Sequence, residues 1–142
     1  MTLYSKVSGH QAYAHMHMYL LQHRSGFKGL CHKTCQDAWG LPVMYAGALQ
    51  AWEAIPKQYR HTNLEAVPVG APIFWHGKDY YGHVALQSAR AGYVISTDAP
   101  TPDFIGEVPY EYITKYWNKP LLGWSSFYNG RKLHFDGLPD QK

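Results

Sequence analysis

Scarcity comes first in this sequence. Only two of its 142 residues are cysteine, too few for the disulfide framework of a small secreted scaffold. No apolar run approaches the roughly 18 residues of a membrane-spanning helix, and the opening MTLYSKVSGHQ has no hydrophobic stretch of the signal-peptide kind. The expected product is therefore made in the cytoplasm without a signal of its own. Charged residues are 16% of the chain and form no block, so the net charge of +3 is spread along it. That distribution gives no stripe for nucleic acid, although it suits an anionic partner such as a bacterial wall. Internal repeats and low-complexity tracts are absent.

Against these absences stand 46% hydrophobic residues and 15% aromatics, with 12 Tyr and 5 Trp. Such a composition supports one core within a chain of this length. Aromatics in this number either line a groove for sugars or peptides or fill the core. The spacing predicts a single domain over 1–135, followed at 136–142 by a frayed tail or the start of a linker.

Ser8-Gly-His-Gln11 has the capping-box form and opens a predicted helix over 9–23. A second helix is predicted over 31–39. Cys31, Cys35, Ala38 and Trp39 form its buried face, and Gly40 and Pro42 stop it. A third, over 44–54, is expected to bury Tyr45, Ala48, Leu49 and Trp52. Then the pattern changes: 72–75, 82–88 and 92–97 are short β-rich runs separated by the turn-like HGKDYYG and SARAG. Strands so closely spaced must pair antiparallel. A short helix at 110–117 and a strand at 121–125 complete an α+β layout.

The two cysteines lie in GLCHKTCQDAWGLP, residues 29–42. A disulfide one helical turn apart is disfavoured by the torsion it requires. A zinc site lacks ligands: His32 projects about 100° from Cys31 around the helix, and no second ligand pair completes four. Cys35 suits a small core hydrophobe. Cys31, in the first turn, sits where free N–H groups and the helix dipole favour a thiolate, so it is the candidate nucleophile.

A nucleophilic thiol needs a base, and nine histidines offer several. His15 and His17 point about 200° apart on a helix and cannot share a metal. His83 opens a strand directly after Gly82, where another backbone or a substrate can approach closely. The next strand ends in Ser96-Thr-Asp98, and Asp98 could accept the proton on the far ring nitrogen of His83. The plainer alternatives are a satisfied strand histidine and a turn-forming aspartate.

Cys31 followed by Ala38-Trp-Gly-Leu-Pro42, then Val69-Gly-Ala-Pro-Ile-Phe-Trp75, Tyr81-Gly-His-Val-Ala-Leu86, Ile95-Ser-Thr-Asp98 and Leu122-Gly-Trp124 run in the order found in a known family. In this the sequence resembles the CHAP and NlpC-like papain-fold peptidoglycan hydrolases, most closely the peptidase domains of endolysins from actinobacteria and their phages. The resemblance spans residues 9 to 130. It implies a papain-like α+β fold with N-terminal helices on an antiparallel sheet. It also implies a catalytic set of Cys31, His83 and Asp98, no cofactor or metal, and cleavage of an amide in the peptide part of the wall through a thioester. The partner it implies is a stem peptide or cross-bridge, met after release from the producing cell, and a wall-binding domain would follow the tail. His32-Lys33 and Cys35 depart from the family pattern, which is more apolar there. Two other functions stay open: a papain-like effector (deamidase, acyltransferase or protease) acting on proteins, and a non-catalytic wall-binding module.

Overall fold

The first helix begins where the S-x-x-Q pattern places it. In the computed structural model, which describes residues 3–77 and 81–140, Ser8 Oγ accepts from the Gln11 N–H at 3.4 Å. Gln11 Oε1 in return accepts from the Ser8 N–H at 2.8 Å. Helix α1 (Gly9–Leu21) buries Ala12 and Met16 and stops two residues earlier than expected, with His23 left-handed at φ 50°. Helix α2 (Cys31–Ala38) buries Cys35 and Ala38, with Trp39 at its cap and Gly40 closing it as predicted.

The third helix is shorter than its sequence pattern suggests. Helix α3 covers only Ala48–Glu53, because tertiary bonds claim the turn before it. Met44 N–H donates to Gln36 Oε1, Met44 O accepts from His32, and Tyr45 takes a φ of 62°. Tyr45, expected in the core, is 41% exposed, whereas Ala48 and Trp52 are buried as expected.

Among the described residues nine strands follow or precede these helices: β1 (Tyr4–Ser8), β2 (Arg60–His61), β3 (Pro72–Trp75), β4 (His83–Gln87), β5 (Tyr93–Thr97), β6 (Ile105–Pro109), β7 (Leu121–Ser125), β8 (Phe127–Tyr128) and β9 (Arg131–His134). Helix α4 (Tyr110–Tyr116) lies between β6 and β7. Six strands form an antiparallel sheet in the order β2-β7-β3-β4-β5-β6. The turn between β3 and β4 includes residues 78–80, which lie outside the described residues. A smaller sheet has the order β1-β9-β8, with β1 parallel to β9. Neither β1, β6 nor the β8–β9 hairpin is among the predicted elements, and 121–125 is not the final strand. The fold is α+β.

Alternation along the central strands divides the core into two layers. Phe74, Val84, Leu86 and Ile95 face Met16, Cys35, Trp39 and Trp52 of the first three helices. Ile73, Trp75, Ala85 and Val94 face Ile113 of α4 from the other side. Each large side chain buried this way contributes about 1.5–3 kcal/mol relative to exposure, enough to hold α2 firmly against β4. Trp39 adds a directional bond, its indole N–H donating to Gly70 O at 2.9 Å. Asp136, assigned by the sequence to the tail, is tied back to α1 by accepting from the His10 N–H at 2.8 Å.

Candidate active site

Strands β4 and β5 stay together only at Leu86–Ile95 and Gln87–Val94. Toward the start of β4 they part, and α2 delivers its cysteines to the exposed backbone edge there. Cys35 Sγ lies 3.7 Å from Val84 O, and the Val84 N–H faces the Cys31 thiol. His83 is the preceding residue. Gly82 makes that strand opening possible: its φ is +65°, and a Cβ there would sit 2.7 Å from Trp75 O.

Cys31, His83 and Asp98 all line one cleft of about 650 Å³, so the topology gathers the three residues singled out by sequence. It does not bond them as expected. No hydrogen bond joins Asp98 to His83. Instead His83 Nε2 lies 2.8 Å from Ser96 Oγ, on the strand beside it. Ser96 O–H donates to Thr97 O at 2.9 Å, so its single proton is committed and its oxygen must accept from His83. An imidazole bonded in this way carries its hydrogen on Nε2, and in its neutral form keeps its lone pair on Nδ1. Both side chains are buried, and the ring is held edge-on to Trp117 at 4.8 Å and beside Trp75 at 5.8 Å.

Asp98 sits in a left-handed turn at φ 62°. Its Oδ2 accepts from the Gly29 N–H at 2.9 Å and its Oδ1 from the Asp103 N–H at 2.6 Å. The expected orienting carboxylate thus serves the loop before Cys31, while a serine serves the histidine. A side chain pointing into the β4–β5 gap must leave β5 on the α4 side, as Ser96 does; Asp98 lies beyond the strand, where the chain has already turned.

The thiol also differs from expectation. Burial pushes the Cys31 thiol up from its ordinary value, and the neighbouring Asp98 charge adds to this. The N–H groups of Val84 and His32, and the charge of Lys119, pull it down without overcoming burial. The helix start therefore does not lower the Cys31 thiol, because burial outweighs it. Cys35 is pushed well above its ordinary value by full burial, as a core cysteine should be.

His32 takes a role the sequence did not suggest. It is buried, its Nε2–H donating to Met44 O at 2.8 Å and its Nδ1 accepting from Tyr128 O–H at 2.8 Å. Asn129 joins the same group by donating to Gln36 Oε1 and Pro42 O. This network fixes the chain after α2 as one wall of the cleft, which carries the exposed Val43 and Tyr45; Tyr81 packs beside it, against Gly47, and its carbonyl accepts from the Leu49 N–H. The sequence signal for this network was Asn129-Gly130, a hairpin turn that places Tyr128 under α2.

Among the described residues, no three His, Cys, Asp or Glu side chains are arranged to hold a metal ion, and no helix is long and apolar enough to cross a membrane. Neither a family model, a curated protein nor a solved structure matches the chain.

Proposed function

We propose that the chain is a papain-like cysteine hydrolase that cleaves an amide bond in the peptide part of bacterial peptidoglycan, as an endopeptidase or an amidase. The observation that carries this reading is the pairing of a helix-start thiol, Cys31, with a histidine fixed as the Nε2–H tautomer in the same cleft. A base must present a lone pair to the thiol and keep its own hydrogen on a fixed acceptor. Ser96 is placed to be that acceptor, which makes Nδ1 the nitrogen to take the thiol proton.

In the mechanism that follows, Nδ1 of His83 takes the Cys31 proton as substrate binds, and the sulfur attacks the scissile carbonyl. Backbone N–H groups at the start of α2 hold the developing oxyanion. The imidazolium, stabilised through Nε2–H by Ser96, gives its proton to the leaving amine, and a thioester remains. Water, deprotonated by the same Nδ1, then releases the acid and restores the thiol. Coupling thiol deprotonation to imidazole protonation suits a thiol whose resting value burial keeps high. Within this reading Ser96 replaces Asp98 as the third member of the catalytic set.

The cleft supports a peptide-like substrate. Its rim combines the exposed Val43, Tyr45, Tyr81, Lys33 and Asp37 with the half-buried Asp98 and Lys119, so it carries charges of both signs. A wall-directed role places its action outside the producing cell's cytoplasm, after release. The test is digestion of actinobacterial-type peptidoglycan by the wild type, Cys31→Ala and Cys35→Ala, with products identified by mass spectrometry. New amine and carboxyl ends released by the wild type and Cys35→Ala, and by neither control nor Cys31→Ala, are expected. Equal wall binding without cleavage by all three would replace the hydrolase with a binding module, and activity on proteins alone would make it an effector.

A further inference from the structure

Helix α2 starts without a local lock. Leu30, its cap residue, has no side-chain oxygen to accept from the first turn, and Gly26, Lys28, Gly29 and Leu30 are all exposed. Phe27 of this segment packs against the core and Tyr19, but the backbone on either side of it is exposed and still has to deliver Cys31 into the cleft.

Its backbone is held from elsewhere. Four consecutive N–H groups are all donated to two aspartates of the β5–β6 turn. Gly26 and Lys28 donate to Asp103 Oδ1 at 3.1 and 3.2 Å, Phe27 donates to Asp103 O at 3.1 Å, and Gly29 donates to Asp98 Oδ2 at 2.9 Å. The aspartates are joined in turn, Asp103 N–H donating to Asp98 Oδ1 at 2.6 Å. Both have positive φ, 62° for Asp98 and 79° for Asp103, a conformation that Asp and Asn tolerate better than most residues. The turn thus presents two carboxylates to one loop, 69 to 77 residues away in sequence.

We infer that Asp98 and Asp103 form a carboxylate clasp whose role is to position the nucleophile: they fix residues 26–29, and through them the height and direction of Cys31, instead of orienting His83. This rests on Cys31 being the nucleophile. The two aspartates are positioning residues, and the division of labour is complete on this reading, with Ser96 holding the base and the aspartates holding the thiol's loop.

The clasp and the triad role make opposite demands on one substitution. Asn keeps a single acceptor oxygen and tolerates the positive φ, so Asp98→Asn and Asp103→Asn are the variants of choice, beside Ser96→Ala. Backbone amide exchange over 26–31 and the nitrogen shifts of the His83 ring are measured on each folded protein without substrate. The aspartate variants are expected to speed exchange over 26–31 about tenfold, as replacing a charged acceptor by a neutral amide oxygen would. They leave the His83 tautomer and titration midpoint at their wild-type values. Ser96→Ala is expected to do the reverse. In wall digestion the aspartate variants lower kcat on the order of 10- to 100-fold with KM little changed. An altered His83 tautomer or midpoint in Asp98→Asn, with exchange over 26–31 as in wild type, overturns the clasp and restores Asp98 to the triad. If Asp98→Asn fails to fold, Asp103→Asn carries the test: faster exchange over 26–31 with a lowered kcat supports the clasp, and wild-type exchange or wild-type kcat there overturns it. Exchange and ring shifts as expected in a protein that cuts no wall would refute the hydrolase and leave the clasp standing.

Discussion

Replacing Ser96 by alanine isolates the histidine's support. Ser96 is fully buried, its oxygen 2.8 Å from His83 Nε2 and its proton held by Thr97 O. Ser96→Ala removes this acceptor without touching the cleft lining. In the resting protein the bond is neutral and contributes about 1 kcal/mol net. That corresponds to a fall in Tm of roughly 2–4 °C in a chain of this size. During attack His83 becomes an imidazolium, and a bond to a charged group contributes about 1.5–3 kcal/mol. At about 1.36 kcal/mol per tenfold, kcat/KM should fall roughly 10- to 150-fold. The loss belongs to kcat, because the bond never meets substrate. The assay is release of new amine ends from purified wall under saturating and limiting substrate, run beside a thermal melt. Full activity in a folded Ser96→Ala protein would refute the tautomer argument, as would a loss confined to KM.

Cys31→Ala should abolish cleavage while melting close to wild type, whereas Cys35→Ala should keep near-normal kcat/KM and lose about 1–2 kcal/mol of stability from its fully buried site; activity and melts on the pair check this. Gly70→Ala should cost more than about 3 kcal/mol, because φ is +86° and its Cβ would sit 2.1 Å from Gly9 O, a backbone atom; circular dichroism melts measure it. Burial holds His32 and His61 below the ordinary histidine value of 6.5. The unfolded chain then takes up protons that the folded one refuses, so their contribution is full above about pH 6.5 and is lost as pH falls below it. Melts across pH 7.5 to 5, to about half a unit, should show Tm falling with acid, and His32→Gln should flatten the slope; an unchanged slope would contradict the buried neutral ring. Tyr13 is pushed up to about 12 by burial and by its bond to Glu107; burial also raises Tyr110 and Tyr128, so ultraviolet titration should show a late-ionising group of phenols that loses one member in Tyr13→Phe.

What the sequence revealed depended on whether local chemistry or distant partners decided each element. Ser8 and Gln11 satisfy each other within four residues, and Gly40 ends α2 by its own φ, so both were legible. So were β3, β4 and β5, whose apolar runs face helices on both sides. Strand β1 was not, because its buried positions include Ser5 and Ser8, which carry no hydrophobic signal. Strand β6 holds Gly106 and Pro109 and looked like a loop. The third helix was overextended because His32 and Gln36 capture Met44 from another element, overriding a helical pattern. At the site, residue types were readable but pairing was not. Asp98 was assigned to His83 by proximity along the chain, two residues past Ser96, yet the pleat sends Ser96 toward the histidine and the turn sends Asp98 toward Gly29.

The parallel pairing of β1 with β9 bears on when this protein becomes itself. His134 N–H donates to Ser5 Oγ across 129 residues of sequence, and Lys132 N–H donates to Leu3 O. As the chain leaves the ribosome, β1 waits for its neighbour until the more than a hundred residues between them have been synthesised. Tyr128, which steadies His32 beside the thiol, arrives at the same late moment. Folding therefore finishes after translation of these residues and is dominated by distant contacts, which makes it slow. Until then the cleft wall has no support, so a ribosome-bound intermediate should carry Cys31 without a formed site around it.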